Sequence, residues 1–225
     1  MKHTFALLIP TCFLLTSCNS TTPIAAAEPI TVQYTAAAAP WLADLYNCAG
    51  VNVVSTEQRA VDFLDPQSVD LAIRIGQPDN LTSPAYQIDI EELLVIVNPQ
   101  NPVNVLTAEQ VRGLFTGHVL NWQEVSGSNA PVQVWAFSSG EDVQQIFEHT
   151  ALGGSPVTST ARLAASPNEM TQALTSDVNA VGILTRRWKA GNVSDAYTVA
   201  TAPVLALTKA EPQGAVQELL ACLQK

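Results

Sequence analysis

At 225 residues the chain is long enough for one compact unit or two small lobes, and its hydrophobic share of 47% is ordinary for a globular protein with a sizeable core. Twenty acidic residues against 10 basic ones give a formal net charge of -10, which argues against nucleic acid or an anionic membrane surface as a partner. After Leu15 no apolar run is long enough to span a membrane.

The first residues read as an export signal rather than as fold. Lys2 and His3 precede an apolar run, Phe5 to Leu15, that is too short for a permanent transmembrane helix. The tetrapeptide Leu15-Thr16-Ser17-Cys18 looks like a bacterial lipobox. Residues 1–17 are therefore expected to be a lipoprotein signal peptide, with Cys18 lipidated as the mature N-terminus. Residues 18–29, rich in Ser, Thr, Pro and Ala, are expected to be a tether. Cys12 leaves with the signal, so Cys48 and Cys222 remain as either a disulfide or two buried thiols.

Ile30 to Thr35 alternates Ile30, Val32 and Tyr34 and reads as a strand. Pro40 suits the first turn of a helix that carries Trp41, Leu42, Leu45, Tyr46 and Ala49 and stops at Gly50. Val51–Val54 reads as a short strand, Gln58–Leu64 as a short helix and Val69–Ile75 as a buried strand closed by Gly76 and Pro78. Asp79–Tyr86 reads as loop, and Leu93–Val97 as a fully apolar strand. At Asn98-Pro99-Gln100-Asn101-Pro102 the pattern restarts across a rigid turn. Thr107-x-x-Gln110 is a capping box for a helix with Val111, Leu114 and Phe115 on its apolar face, stopped by Gly117.

Asn121-Trp122 and a polar loop lead into a strand over Val132–Phe137. Val143, Ile146 and Phe147 then mark a helix face. Between them, Ser138-Ser139-Gly140 has two readings. It is a ligand loop, since a strand-to-helix turn aims free N–H groups and a positive dipole end at one spot. Or the helix caps itself, because Ser138-x-x-Glu141 fits a capping box and Ser139-x-x-Asp142 resembles one. Ser166-Pro167-Asn168-Glu169 is a further capping box, followed by a strand over Ala180–Leu184. Tyr197–Ala200 and Val204–Thr208 read as two strands, and Val216, Leu219, Leu220 and Leu223 as a final amphipathic helix. Strands alternating with helices place the chain in the α/β class.

The chain lacks a phosphate loop followed by Lys, an H-E-x-x-H motif and a nucleophile elbow. His118 and His149 lie in different elements without paired Cys, so neither a metal nor another cofactor is expected, and no catalytic set is visible. Glu91-Glu92 is sequential beside a strand and reads as a solvated edge. Arg186-Arg187 is expected on a solvated hinge edge, and Trp41 and Trp122 are expected to be packing residues. Asn80-Leu81-Thr82 and Asn192-Val193-Ser194 match a glycosylation pattern but, behind a bacterial lipobox, are treated as loop residues only.

The order of features from Leu93 to Leu184 is specific: Val95-Ile96-Val97-Asn98-Pro99-Gln100-Asn101-Pro102-Val103, then Leu106 to Gly117, Asn121-Trp122, Ser138-Ser139-Gly140 and Ala180-Val181-Gly182-Ile183. This resembles the phosphate-binding-protein-like substrate-binding proteins of ABC transporters, within the periplasmic binding-protein superfamily. The resemblance implies a type II fold of two α/β lobes, each a small sheet flanked by helices, closing on a solute. Lobe one would be residues 30–97 plus 195–225, and lobe two residues 98–194 with the hinge. It puts the helices that carry Cys48 and Cys222 in one lobe, so a disulfide between them is expected. It also implies a binding protein rather than an enzyme, anchored to the envelope only by its lipid, with a small-molecule solute and an ABC permease as partners.

The ligand-binding residues implied by the resemblance are Thr35, Ala36, Arg74, Trp135, Ser138, Ser139, Gly140 and Glu141. Several depart from the family pattern. Phosphate binders carry Arg four residues before a Ser-Gly-Thr; here that position is Trp135 and the Thr position is Glu141. The family's Asp that accepts the phosphate proton would fall near Ile75. A tetrahedral oxyanion needs several converging donors. A ring face and a carboxylate instead suit a cationic or neutral polar solute. The other reading of these eroded loops is an envelope interaction or sensor protein that keeps the fold without a transport solute. Arg74 is either a holder of one anion or a surface ion pair.

Overall fold

The computed structural model describes residues 28–60, 68–189 and 191–225. The expected signal, Cys18, nearly all of the expected tether and most of the helix expected over Gln58–Leu64 lie outside the described residues.

Eight strands form one sheet: β1 (Ile30–Tyr34), β2 (Val53–Glu57), β3 (Leu71–Ile75), β4 (Ala85–Val97), β5 (Gln133–Ala136), β6 (Arg162–Leu163), β7 (Ala180–Thr185) and β8 (Ser194–Leu207). Their spatial order is β2-β1-β3-β8-β4-β7-β5-β6. Among the described residues the α-helices are α1 (Leu42–Cys48), α2 (Ala108–Thr116), α3 (Asp142–Thr150), α4 (Pro167–Ser176) and α5 (Gly214–Leu223), with a 3-10 turn over Ala36–Trp41 running into α1. Parallel pairs β1–β2 and β1–β3 fill one end of the sheet, and parallel pairs β5–β7 and β5–β6 the other. The long antiparallel pair β4–β8 runs between them. β3 pairs with the last residues of β8, and β7 with the last residues of β4, so these two strands carry the chain between the two halves. This is the α/β architecture that the alternation implied, in the two-lobed form that the resemblance implied.

The apolar run Leu93–Val97 is buried throughout, and so is Leu71–Ile75, Arg74 included. α2 buries Val111, Leu114 and Phe115, and the Phe115 ring meets Phe147 of α3 edge-on at 4.5 Å. Thr107 and Gln110 form the expected reciprocal capping box. Gly117 ends α2 in the left-handed region (φ 78°), and a Cβ there would also press on Thr158. Ser166 caps α4 with Pro167 at its first position, but Glu169 accepts from the Ala165 N–H rather than closing a box on Ser166.

Two strands are longer than their sequences imply. β4 begins at Ala85, through a stretch read as loop and then as a polar edge, because Gln87–Glu92 pair along β8 with a register shift between Gln87 and Asp89. β8 runs through Pro203 instead of splitting there. The Pro203 carbonyl accepts from the Gly76 N–H just past the end of β3. In a strand a residue's N–H and C=O face the same neighbour, so the donor that Pro203 lacks faces a place where β3 has already ended. Cys48 at the end of α1 and Cys222 in α5 form a disulfide, with Cα atoms 5.7 Å apart. Among the described residues no helix is long and apolar enough to cross a membrane.

Candidate functional site

β5 delivers the chain to the middle of the sheet edge, and the turn after it enters α3. The Ser138 carbonyl accepts from the Glu141 N–H at 2.9 Å, and the buried Gln144 side chain accepts from the Phe137 N–H at 3.0 Å. Glu141 is the residue before the helix, and no side chain caps it. Of the two readings of this turn, the self-capped one, with Ser138 or Ser139 closing a capping box, is therefore not realised. The backbone turn and Gln144 tie this corner instead.

Asp142, the first residue of α3, is the centre of the site. It is fully buried. Its Oδ2 accepts from the Thr35 hydroxyl at 2.7 Å and from the Ile75 N–H at 2.8 Å, and its Oδ1 accepts from the Val143 N–H at 2.8 Å. Thr35 follows β1 and Ile75 ends β3, so one carboxyl joins the second half of the sheet to two strand ends of the first. Burial pushes the Asp142 carboxyl above the usual carboxylate range, while Ile75, Thr35, Arg74 and Val143 act against that rise. The hydrogen bonds to it all come from donors, the arrangement that suits an ionised carboxylate. Asp142 was missing from the implied ligand set. Its place in the sequence held the signal: Asp142, Val143, Ile146 and Phe147 fall on one helix face, so the acid shares the buried stripe.

Arg74 lies beside this site and is 5% exposed, which removes the surface-ion-pair reading. Its Nε is buried without a hydrogen-bond partner. Burial draws the guanidinium pKa below its ordinary value, against the attraction of Asp142 and Asp79. Gly76, in the left-handed region at φ 75°, follows Ile75; a Cβ there would come within 2.8 Å of Ile146, so the glycine permits the close approach of α3.

Beside Asp142 lies a groove of about 400 Å³, lined by Ala36, Glu57, Gln58 and Arg59 from the first half and Ser138, Glu141, Ala164 and Ala165 from the second. Ala36, Ser138 and Glu141 of the implied set thus share a groove, while Thr35 and Arg74 lie buried around Asp142. Ser139 lines a separate groove on the outer side, with Gln144, Glu148 and Thr158. Trp135 lies in β5 under the Arg162 guanidinium, 5.7 Å from its ring, and neither it nor Gly140 lines the first groove. Among the described residues no group of three or more His, Cys, Asp or Glu could hold a metal ion.

Away from the groove, the 3-10 turn Arg186–Trp188 that follows β7 straps the two halves together. The Arg187 guanidinium lies 4.4 Å over the Trp41 ring, with nitrogens 2.7 Å from Asp89 and 3.4 Å from Asp44. Trp41 is buried, as a packing residue should be, and its ring N–H donates to Asp89. Arg186 pairs with Glu92 and Asp195, Lys189 also pairs with Asp195, and the Trp188 ring N–H donates to the Ala37 carbonyl. The pair Arg186-Arg187 is exposed, as its reading as a solvated edge has it, and there it carries an ion network. Glu91, by contrast, is buried, against its reading as a solvated edge, and accepts from the Glu92 and Arg187 N–H groups.

Burial raises the Asp89 carboxyl pKa, but the Ile90 N–H, Trp41 and Arg187 outweigh it and hold that pKa below the usual range. Asp195 behaves likewise, with Lys189 and Arg186 opposing its burial. A carboxylate whose folded pKa lies below its unfolded value adds stability above the ordinary Asp range. That contribution is lost as pH falls through the folded value. Acidification from pH 7 to about pH 3 is thus expected to loosen the strap, and Arg187→Met to flatten that part of the acid dependence, as read by melting temperature against pH. An unchanged acid limb in the variant would remove Arg187 from this role.

A family model described as a PBP superfamily domain matches residues 87–221. Among solved structures, the fold is similar to a putative phosphate ABC transporter substrate-binding protein with bound phosphate from Clostridium perfringens (15% identity, TM-score 0.78, covering 87% of this chain and 93% of that one). It is also similar to an ABC-type phosphate transport receptor from Vibrio cholerae (21% identity, TM-score 0.67, 87% and 93%). A third similar fold is the OxyR2 regulatory domain from Vibrio vulnificus (8% identity, TM-score 0.63, 88% and 96%). At these identities the structures speak for the fold, whereas the family model takes in more than half of the chain, and on that match the protein belongs to the PBP superfamily.

Proposed function

We propose that this protein is an exported solute-binding lipoprotein, held to the envelope by Cys18, that takes a small polar solute other than phosphate and passes it to an ABC permease. Residues 30–97 plus 195–225 would be one lobe and residues 98–194 the other, with the solute in the groove between Ala36, Glu57, Ser138 and Glu141. The observation that carries this reading is the Asp142 carboxylate. It takes the Thr35 hydroxyl and the Ile75 N–H, two donors that an oxyanion at this place would need. An incoming phosphate would meet a like charge and occupied donors. The groove volume suits a metabolite-sized solute, and with Glu57 and Glu141 set against Arg59 alone its lining is net acidic, which favours a neutral or cationic one.

The second reading, an envelope interaction or sensor protein without a transport solute, is favoured by a different observation. The two halves are already tied, by Asp142 on one side and by the Arg186–Trp188 strap on the other, with no solute needed. A fold shared with the OxyR2 regulatory domain supports the same reading.

A thermal-shift screen of the purified protein against phosphate, sulfate, molybdate, amino acids and polyamines separates the two. The expected result is silence to phosphate and a rise in melting temperature with a neutral or cationic solute; a ligand at 100 times its dissociation constant adds about 2.7 kcal/mol. Phosphate binding at or below about 1 µM would sink the first reading, since that affinity corresponds to about 8 kcal/mol. Silence to the whole panel would favour the second.

A further inference from the structure

Asp142 is a poor candidate for an ordinary capping residue. A capping side chain belongs to the residue before the helix, and that residue here is Glu141. Asp142 is one place inside. Its Oδ2 leaves the helix altogether, to meet donors 67 and 107 residues away in sequence. A hydroxyl from after β1, an N–H from the end of β3 and an N–H in the first turn of α3 converge on one carboxylate from separate segments. α3 also points its positive dipole end at this spot. The second, independent observation is Arg74: a cation 5% exposed, coupled electrostatically to Asp142, whose Nε has no hydrogen-bond partner. A buried guanidinium with an unpartnered N–H is costly unless an anion lies near it.

We propose that Asp142 is a resident ligand: its carboxylate fills a small-oxyanion subsite built by Thr35, Ile75, Val143 and the buried charge of Arg74, and vacating it exposes a site for a free carboxylate or inorganic oxyanion. The charged groups facing the subsite are Arg74 and, farther out, Asp79, which acts on Arg74. The subsite is anion-selective by construction, and the chain supplies the anion. Holding the carboxylate from both halves of the sheet also ties those halves together. The proposal stands whether or not the neighbouring groove takes a solute.

Chemical rescue tests it on the purified full chain. Asp142→Ala removes the carboxylate and leaves the donors. The variant should melt at a lower temperature than the parent. Formate or acetate at about 100 mM should then raise its melting temperature by roughly 3–5 °C over sodium chloride of equal ionic strength. Calorimetry should show phosphate binding at least about tenfold tighter than in the parent, where the site is filled. Asp142→Asn, which keeps the shape and loses the charge, should show neither response, and adding Arg74→Gln to Asp142→Ala should abolish both. A variant that folds cooperatively yet ignores formate, acetate and phosphate overturns the proposal and makes Asp142 a structural residue only. If Asp142→Ala does not fold in chloride, refolding in about 0.5 M formate decides: recovery supports the subsite, and failure there overturns it.

Discussion

Replacing Cys48 and Cys222 together by Ser is expected to lower the melting temperature by roughly 10 °C, and reduction of the native protein should do the same. The bridge joins residues 174 apart in sequence. On the loop-entropy account a closure of that length restricts the unfolded chain by about 5 kcal/mol, and native disulfides commonly contribute about 2–5 kcal/mol. For a chain of this size each kcal/mol moves the midpoint by about 2–4 °C. The local structure magnifies the dependence. α1 is seven residues long and buries only Leu45, so it is too short to persist on its own hydrogen bonds. The bridge ties it to α5, the last helix of the chain. Calorimetric scans with and without reductant give the measurement. A shift below about 2 °C would mean that Leu45, Leu219 and Leu220 hold this corner without the bridge.

Trp122→Ala should cost the second half of the molecule about 3–5 kcal/mol, the range for deleting a buried large aromatic side chain. Trp122 is 1% exposed. It opens a 3-10 turn that Asn121 and Glu124 cap reciprocally, and Gly127 packs so closely on it that a Cβ there would lie 2.9 Å from the Trp122 Cβ. Its ring N–H donates to the Asn179 carbonyl at 2.9 Å, just ahead of β7. Trp122→Phe separates the two contributions. It keeps most of the ring, and the Asn179 carbonyl still accepts from the Gln133 N–H, so about 1 kcal/mol should be lost. Urea melts of the three proteins measure both. Equal losses for Ala and Phe would show that the hydrogen bond, not the packed ring, carries the effect.

The sequence by itself determined the elements whose cause is local. Thr107 and Gln110 cap α2 and Gly117 stops it, since a hydroxyl, an amide and a residue free to adopt positive φ need only their near neighbours. The continuous apolar run Leu93–Val97, and Leu71–Ile75 with Arg74 as its one polar residue, named two central strands, because a strand buried on both faces is apolar almost throughout. The order of motifs from Leu93 to Leu184 carried the family. Cys48 and Cys222 named the disulfide, once the implied lobes put their helices together.

Only the tertiary structure decided the rest, and the reason is the same in each case: partners that are distant in sequence. β4 extends through polar residues because β8 lies alongside to pair with them, and β8 runs through Pro203 because the missing N–H falls just past the end of β3, where the ladder stops. Arg186 and Arg187, two exposed charges in a list, become a strap when Asp44, Asp89, Glu92 and Asp195 arrive from other segments. Above all, Asp142 looked like one more acid at a helix start. Burial beside α3's own N–H, with Thr35 and Ile75 brought in from 107 and 67 residues away, makes its carboxylate the anion that the site holds.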